Sequence, residues 1–144
     1  MNKLYIHNRL GQRGVAAVEF ALIASVFFTL LIGIMEMGRV LFYLNTAAET
    51  TRLGARVAVV CDINDTAIKL RMIEMFGTLT TTDIDIDYEP GGCNLNSCRL
   101  VTVSINPKQI NTFIPFIDFA ITMPPFTTTL PRESMDSVNN VVCT

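Results

Sequence analysis

Glu19 is the one charged residue in the 21 positions from Val15 to Met35. This run matches the ~20 residues that an α-helix needs to cross a bilayer. A carboxylate within such a run costs roughly 2.5–3.5 kcal/mol near the helix centre and less near its end, and it usually has a partner. Glu19 is therefore a candidate for charge pairing inside an apolar environment. The plainer alternative is a carboxylate that is tolerated at the level of the lipid headgroups.

Four cysteines, all after this run, are the second candidates for chemistry: Cys61, Cys93, Cys98 and Cys143. An even number in a small exported domain favours disulfides, and three pairings are possible. Cys93 and Cys98 flank four residues inside a predicted hairpin, so we pair them, which leaves Cys61 for Cys143. A four-cysteine zinc site is the alternative, but the chain has no Cys-x-x-Cys and the other two ligands are isolated.

Three aspartates at alternate positions of a predicted strand are candidate ligands for a calcium ion: Asp83, Asp85 and Asp87. An EF-hand loop that began at Asp83 would need Gly and Glu where the chain has Tyr88 and Asn94. We therefore favour a solvent-facing strand whose charges resist sheet-to-sheet aggregation.

Catalytic constellations are missing from the sequence. The only histidine is His7, and none of the common nucleophile, phosphate-loop or zinc-protease motifs occurs. We expect no catalytic residue, no metal, no cofactor and no small-molecule substrate, so that the protein is not an enzyme.

The distribution of charge predicts how the chain is placed in a membrane. Residues 1–14 contain Lys3, Arg9 and Arg13 and no acid, whereas the remainder has eight Lys or Arg and thirteen Asp or Glu, a formal charge of −5. The positive-inside rule keeps the basic leader in the cytoplasm and sends the acidic part across. We expect a single-pass inner (cytoplasmic) membrane protein with a periplasmic C-terminal head. An acidic head is a poor partner for nucleic acid.

Charge, the length of the apolar run and hydrophobic periodicity together predict a chain of four parts. These are a basic leader (1–14), a transmembrane helix (15–35), an extracytoplasmic continuation of that helix (36–60) and a globular α+β head with disulfides (61–144). In the continuation, small or apolar residues recur every three or four positions as one stripe: Val40, Leu44, Ala48, Thr51, Ala55 and Val59. The stripe packs on the chain's own sheet or on other subunits, and both alternatives stay open.

The head is predicted to hold one short helix and a three-stranded antiparallel sheet, which makes the fold class α+β. The helix occupies 67–76, follows capping residues at 62–66 and ends at Gly77 as its C-cap. The strands are predicted at 82–88, 99–105 and 126–130, of which the first two form a hairpin.

Two stretches of the head have weaker patterns. Residues 110–125 are apolar and interrupted by proline, which indicates a short helix or a packed loop. Residues 136–144 are predicted to be frayed apart from Cys143.

The N-terminal pattern resembles a type IV prepilin cleavage signal, and more closely that of the TadE-like proteins of tight-adherence (Tad, type IVb) pilus systems. The residues that carry the resemblance are a basic leader, Gly14, four small or apolar residues, Glu19, Phe20 and the apolar run. The resemblance extends from about Gly14 to Val60. TadE and TadF relatives share this pattern.

The resemblance implies that a prepilin peptidase cuts after Gly14, so that Val15 becomes the new N-terminus. It implies subunit contacts for Glu19 and Phe20, because the equivalent acid of pilins pairs with the N-terminal amine of a neighbouring subunit. The implied function is a minor pilin or pseudopilin that takes part in assembling a Tad-type adhesive pilus. The implied partners are the prepilin peptidase, other Tad pilins, the inner-membrane assembly platform and the lipid bilayer.

Two other interpretations of the N-terminus differ in their consequences. An uncleaved signal anchor would leave the leader in place and make the exported head a binding or adhesion module. An ordinary secretory signal peptide has an apolar region of about 7–15 residues, which is shorter than the run that contains Glu19.

Overall fold

The computed structural model describes residues 10–112 and 120–143, in two compact units divided after Gly38. One helix, α1 (Leu10–Ala58), contributes to both units. Among the described residues, α1 is the one helix that is long and apolar enough to cross a membrane. The long N-terminal helix predicted from the sequence is therefore confirmed.

In the second unit, the remaining part of α1 buries one face against the head. Val40, Ala47, Thr51 and Ala55 are all buried, at intervals of seven, four and four residues. The buried Thr51 hydroxyl donates a hydrogen bond to the Ala48 carbonyl at 2.8 Å, so its burial leaves no polar group unsatisfied. The predicted stripe thus packs on the chain's own head, with Ala47 deeper than Ala48.

Helix α2 (Thr66–Met75) lies against α1 at Gly54. A Cβ added at Gly54 would lie 2.9 Å from Met72 Cγ and closer still to its Sδ. A larger residue at this position would therefore force the Met72 side chain to shift. Met72 is fully buried, so this contact belongs to the core of the head.

The ends of α2 agree in part with the sequence prediction. Asp65 is the N-cap, and its carboxylate accepts a hydrogen bond from the Ala67 amide at 2.9 Å. The C-cap is Phe76 rather than the predicted Gly77. Phe76 is buried and its ring lies 5.8 Å from that of Tyr43, so packing on α1 decides where the helix ends.

Within the described residues, the head contains five strands: β1 (Ile84–Glu89), β2 (Leu100–Ile105), β3 (Lys108–Asn111), β4 (Ala120–Met123) and β5 (Phe126–Pro131). Three of them form an antiparallel sheet in the order β1-β2-β5, which confirms the predicted α+β class and three-stranded sheet. The sheet contributes Ile84, Val101, Val103 and Ile105 to the core that it shares with α1 and α2.

The interpretation of residues 110–125 as a short helix or packed loop is wrong for the described part of that stretch. Strands β3 and β4 pair there as a second antiparallel sheet, while residues 113–119 lie outside the described residues. Ile105 lies opposite Phe126 and Lys108 lies opposite Met123, so both pairs share one continuous register. The prolines between them, which lack the N–H that a ladder needs, divide one long ribbon into two sheets.

The C-terminal segment is also less frayed than predicted. Met135 donates its main-chain N–H to the Val59 carbonyl at 3.2 Å, and Asp136 donates to Val60 at 2.9 Å. The Ser137 hydroxyl donates to Asp65 at 2.5 Å. The segment is thus tied to main-chain carbonyls at the end of α1 and to the N-cap side chain of α2.

Candidate functional site

The four residues that the resemblance singles out lie on the first unit. Gly14 and Val15 are inside α1, and a Cβ added at Gly14 would meet nothing within 4 Å. Glu19 is exposed, as are Val15 at 69% and Phe20 at 73%. Residues four positions apart share one side of a helix, so Val15 and Glu19 face the same way.

The surface around these residues is apolar and extensive. Every side chain from Gly14 to Met35 is exposed except that of Ala24, which is half-buried. An exposed apolar surface of this size marks contact with a membrane or with another protein. Its length and composition are those of a single-pass membrane anchor.

The cysteines form two disulfides in the structure, Cys61–Cys143 and Cys93–Cys98, which is the pairing that spacing favoured. An Asp65 carboxylate oxygen lies within 4.8 Å of the Cys61 and Cys143 sulfurs. These sulfurs are bonded to each other, so they offer no thiolate to a zinc ion. The Cys61–Cys143 bond joins residues 82 apart, a loop whose closure stabilises a fold by about 4 kcal/mol in the chain-entropy view.

The three alternating aspartates have different environments. Asp83 precedes β1 and accepts a hydrogen bond from the Lys108 ammonium at 2.7 Å, which lowers the pKa of the Asp83 carboxyl. Asp85 accepts a hydrogen bond from the Asn106 amide at 2.8 Å, and Asp87 is exposed. Two of the three carboxylates are thus already paired with side chains of the same head.

A cavity that the sequence did not indicate lies between α1, the end of α2 and the β3–β4 sheet. Its volume is about 180 Å³, and it is lined mainly by Arg39, Tyr43, Phe76, Lys108, Asn111 and Met123. These residues come from separate parts of the chain, so no local spacing could reveal them. A role for the cavity must therefore be inferred from the residues that line it.

The comparison with known proteins gives one family match, which lies within helix α1. Residues 14–56 match the sequence model of the TadE-like protein family, which confirms the resemblance noted above. The match begins at Gly14, includes Glu19 and Phe20, and ends near the C-terminus of α1. No curated protein is significantly similar to this chain, and neither is any solved structure. The match shows that the helical part of the chain is similar to TadE-like proteins.

Proposed function

We propose that this TadE-like protein is a minor pilin or pseudopilin that takes part in assembling a Tad-type adhesive pilus and is processed after Gly14 by a prepilin peptidase. The observation that carries the proposal is the family match at 14–56, which begins at the proposed cleavage position. The exposed apolar helix supports it, because a subunit of this kind must bind lipid first and other subunits later.

Cleavage between Gly14 and Val15 would act on an accessible part of α1. A Cβ at Gly14 would meet nothing within 4 Å, so no packing protects the bond. Glycine is about 1 kcal/mol less favourable than alanine inside a helix. The helical turn around Gly14 therefore costs less free energy to unwind in a peptidase than a turn with alanine at this position. The cut would remove the basic leader and create a positive charge at the amino group of Val15.

Glu19 gives this new charge a partner. A carboxylate in an apolar run needs a counter-charge, and the charge interaction between an acid and an amine is much stronger in low dielectric than in water. Val15 and Glu19 lie four positions apart on α1, so the acid could neutralise its own amine before assembly and that of a neighbouring subunit afterwards. Phe20 follows Glu19 and is 73% exposed within this chain. Its ring is therefore available to pack against a neighbouring subunit beside the charged pair.

The proposed arrangement in the cell follows from charge and composition. The leader (1–14) lies in the cytoplasm, the span (15–35) in the inner membrane, and the continuation (36–60) and head (61–144) in the periplasm. The two disulfides of the head support an oxidising compartment. The proposed partners are the prepilin peptidase, other Tad pilins and the assembly platform.

Mass spectrometry of the N-terminal peptide from membrane-extracted protein tests the proposal. In cells with a prepilin peptidase we expect the peptide to begin at Val15. In matched cells that lack the peptidase we expect the leader to be retained. A peptide that begins at Met1 in both strains would contradict processing.

An uncleaved signal anchor with a binding head is the second candidate. The cavity lined by Arg39 and Lys108 favours this candidate, because a head that served only in contacts between subunits would need no pocket for a ligand. Retention of the leader, together with normal pilus assembly after deletion of the gene, would favour this candidate over the first.

A further inference from the structure

The three-stranded sheet of the head has two outer strands, β1 and β5. Among the residues that the structure describes, each of them pairs with β2 and with no second strand. An unpaired edge presents a row of main-chain N–H and C=O groups to which another strand can bond. Whether an edge accepts such a strand depends on which residues direct these groups outwards.

Every second residue of β1 directs its main-chain groups away from β2. Opposite residues of an antiparallel pair alternate between those that exchange main-chain hydrogen bonds and those that do not. Asn106 donates its main-chain N–H to the Asp83 carbonyl at 2.9 Å, so Asp83 belongs to the bonded set. In the register of β1 with β2, the outward N–H and C=O groups therefore include those of Ile86 and Tyr88. Strand β1 contains no proline that would interrupt this row.

The edge formed by β5 is interrupted. The Arg132 main-chain N–H donates to the Arg99 carbonyl at 2.9 Å, and by the same alternation Thr127, Thr129 and Pro131 face outwards. Proline has no N–H to donate, and proline on an edge strand is a common protection against added strands. The β1 edge is therefore the better acceptor for another strand.

The outer face of β1 is acidic, and β2 does not supply basic neighbours for it. Asp85, Asp87 and Glu89 are exposed on this face. The residues opposite them on β2 are Ser104, Thr102 and Leu100. Opposite charges on neighbouring strands stabilise their pairing, whereas like charges oppose it. A second copy of β1 would place acids against acids, so the charges favour a partner strand that carries basic side chains.

A groove lies beside this edge, between β1 and α2. Its volume is about 540 Å³, and its lining includes the side chains of Leu70 and Ile86. Leu70 is 55% exposed and Ile86 is half-buried, so a strand placed here would cover apolar surface on both. Asp65 and Lys69 also line the groove and have opposite charges. The groove therefore suits apolar side chains on the inner face of an added strand.

We propose that the β1 edge binds an extended segment of another protein as an added strand. Its basic side chains lie beside Asp87 and Glu89, and its apolar side chains lie in the groove beside Leu70 and Ile86. Main-chain hydrogen bonds supply affinity in this mode of recognition, and the alternating side chains supply specificity. The inference goes beyond the proposed function and depends on the head alone, neither on cleavage nor on pilus assembly.

A peptide in which valine and lysine alternate, of the same length as β1, is the probe. Full-length protein in a non-ionic detergent is titrated into the fluorescently labelled peptide, and anisotropy reports binding, with empty micelles as the blank. A second peptide has the same composition with its valines and lysines in two blocks, and a third alternates valine with glutamate. We expect the first peptide to bind more tightly than either of the others. Equal binding of the alternating and block peptides would mean that charge alone attracts them, which would overturn strand addition.

Reversal of the acidic row tests charge complementarity. Each opposite-charge pair between neighbouring strands changes affinity by about 1.4- to 5-fold. Asp87→Lys with Glu89→Lys should therefore weaken binding of the valine–lysine peptide by roughly 2- to 30-fold and strengthen that of the valine–glutamate peptide. The matched control, Glu49→Lys with Glu133→Lys, changes the charge equally at exposed positions on α1 and after β5, and both affinities should be retained. Equal changes in the two double variants would overturn the proposal.

A proline variant tests the main-chain contacts and keeps the charges. Ile86→Pro removes an N–H that points away from β2, and proline is tolerated on an edge strand in this orientation. Binding of the valine–lysine peptide should fall. Thr127→Pro is the matched control, because it removes an outward N–H from the β5 edge, and it should bind the peptide as the wild type does. Full binding by Ile86→Pro, or an equal loss in both variants, would overturn the assignment to β1.

Amide hydrogen exchange of the wild-type protein gives a measurement that needs no variant. The amides of Ile86 and Tyr88 should exchange more slowly when the valine–lysine peptide is bound, whereas the amide of Ile110 on β3 should be unchanged. Unchanged exchange at Ile86 under saturating peptide would refute strand addition at this edge.

Sedimentation of the protein without peptide distinguishes the source of the strand. We expect no self-association through β1, because acids would face acids. A dimer of the full-length chain that Ile86→Pro dissociates, and Thr127→Pro does not, would assign the edge to a second copy and overturn the proposed basic partner.

Discussion

The two parts of α1 have one conformation and opposite surroundings. From Gly14 to Met35, all but one of the side chains are exposed, and most of them are apolar. From Val40 to Ala58, one face is buried in the chain's own head and most of the other is polar. Within the described residues, the chain itself does not bury the apolar side chains of the first part, whereas each turn of the second part has side chains buried in the head.

This difference separates the roles of the two parts. Helical stability in proteins comes mostly from packing of an apolar face. As far as the described residues show, such packing is found in the second part and not in the first. Substitutions in the first part should change processing and assembly without changing the fold of the head. Substitutions on the buried face of the second part should change the stability of the head without changing the cleavage site.

Replacing Gly14 should have the largest effect. We expect Gly14→Val to abolish maturation, because a peptidase pocket that fits a residue without a side chain excludes a branched one. Immunoblots should show only the longer precursor, with both head disulfides formed. Gly33→Val is the matched control, since Gly33 also has nothing within 4 Å and lies in the same helix. Mature Gly14→Val protein of normal length would refute the cleavage site.

The second substitution, Glu19→Ala, should strongly reduce surface pili while leaving membrane insertion intact or improved. Removal of a charge from an apolar run lowers the cost of insertion, so the loss must come from subunit contacts. Membrane fractionation measures insertion, and electron microscopy of the cells counts pili. Wild-type numbers of pili would show that Glu19 is merely tolerated in the helix.

In the second part of α1, Gly54→Val should destabilise the head by roughly 1–3 kcal/mol, because the new side chain overlaps Met72 in a packed core. The midpoint of urea unfolding in detergent measures the change. Gly38→Val is the control, as a Cβ at Gly38 meets nothing within 4 Å. An unchanged midpoint for Gly54→Val would show that the Met72 side chain can move aside without cost, which would contradict a tightly packed contact between α1 and α2.

The smallest effect should come from Asp83→Asn, about 1 kcal/mol or less, because the Asp83–Lys108 pair is partly exposed. The hydrogen bond from Lys108 lowers the pKa of Asp83, so its stabilisation is present above the unfolded pKa of about 3.9 and is lost as pH falls through the lower folded value. Unfolding midpoints of wild type and variant should differ at pH 6 and converge near pH 2. Asp87→Asn, an exposed neighbour on β1, should show a smaller difference at pH 6. A difference that persists at pH 2 would exclude this ion pair as its cause.

Local patterns predicted much of this architecture. The 21-residue run, the spacing of the stripe and the alternation of 82–88 each extend over several residues, so these patterns were enough to identify the helix and a strand that the structure has at Ile84–Glu89. The Cys93–Cys98 pairing followed from a short loop for the same reason. These features depend on neighbours in sequence.

Features that depend on distant contacts were not predictable. Strands β3 and β4 have four residues each, too few for a pattern, and they pair because β2 and β5 already set the register. Phe76 rather than Gly77 ends α2 because of packing on Tyr43, and Lys108 meets Asp83 across 25 positions. The cavity arises from the same long-range contacts, so no local pattern of residues indicates it.

The Cys61–Cys143 bond has a mechanical consequence for a protein that is anchored at one end. A pull between the membrane helix and the C-terminus would follow α1 to Cys61 and cross the disulfide to Cys143, bypassing the chain between them. The sheet and α2 would therefore carry little of the tension, and the head would stay folded under a load that unfolds a chain stretched in series. Reduction of this one bond would transfer the load to the hydrogen bonds of Met135 and Asp136 at the end of α1.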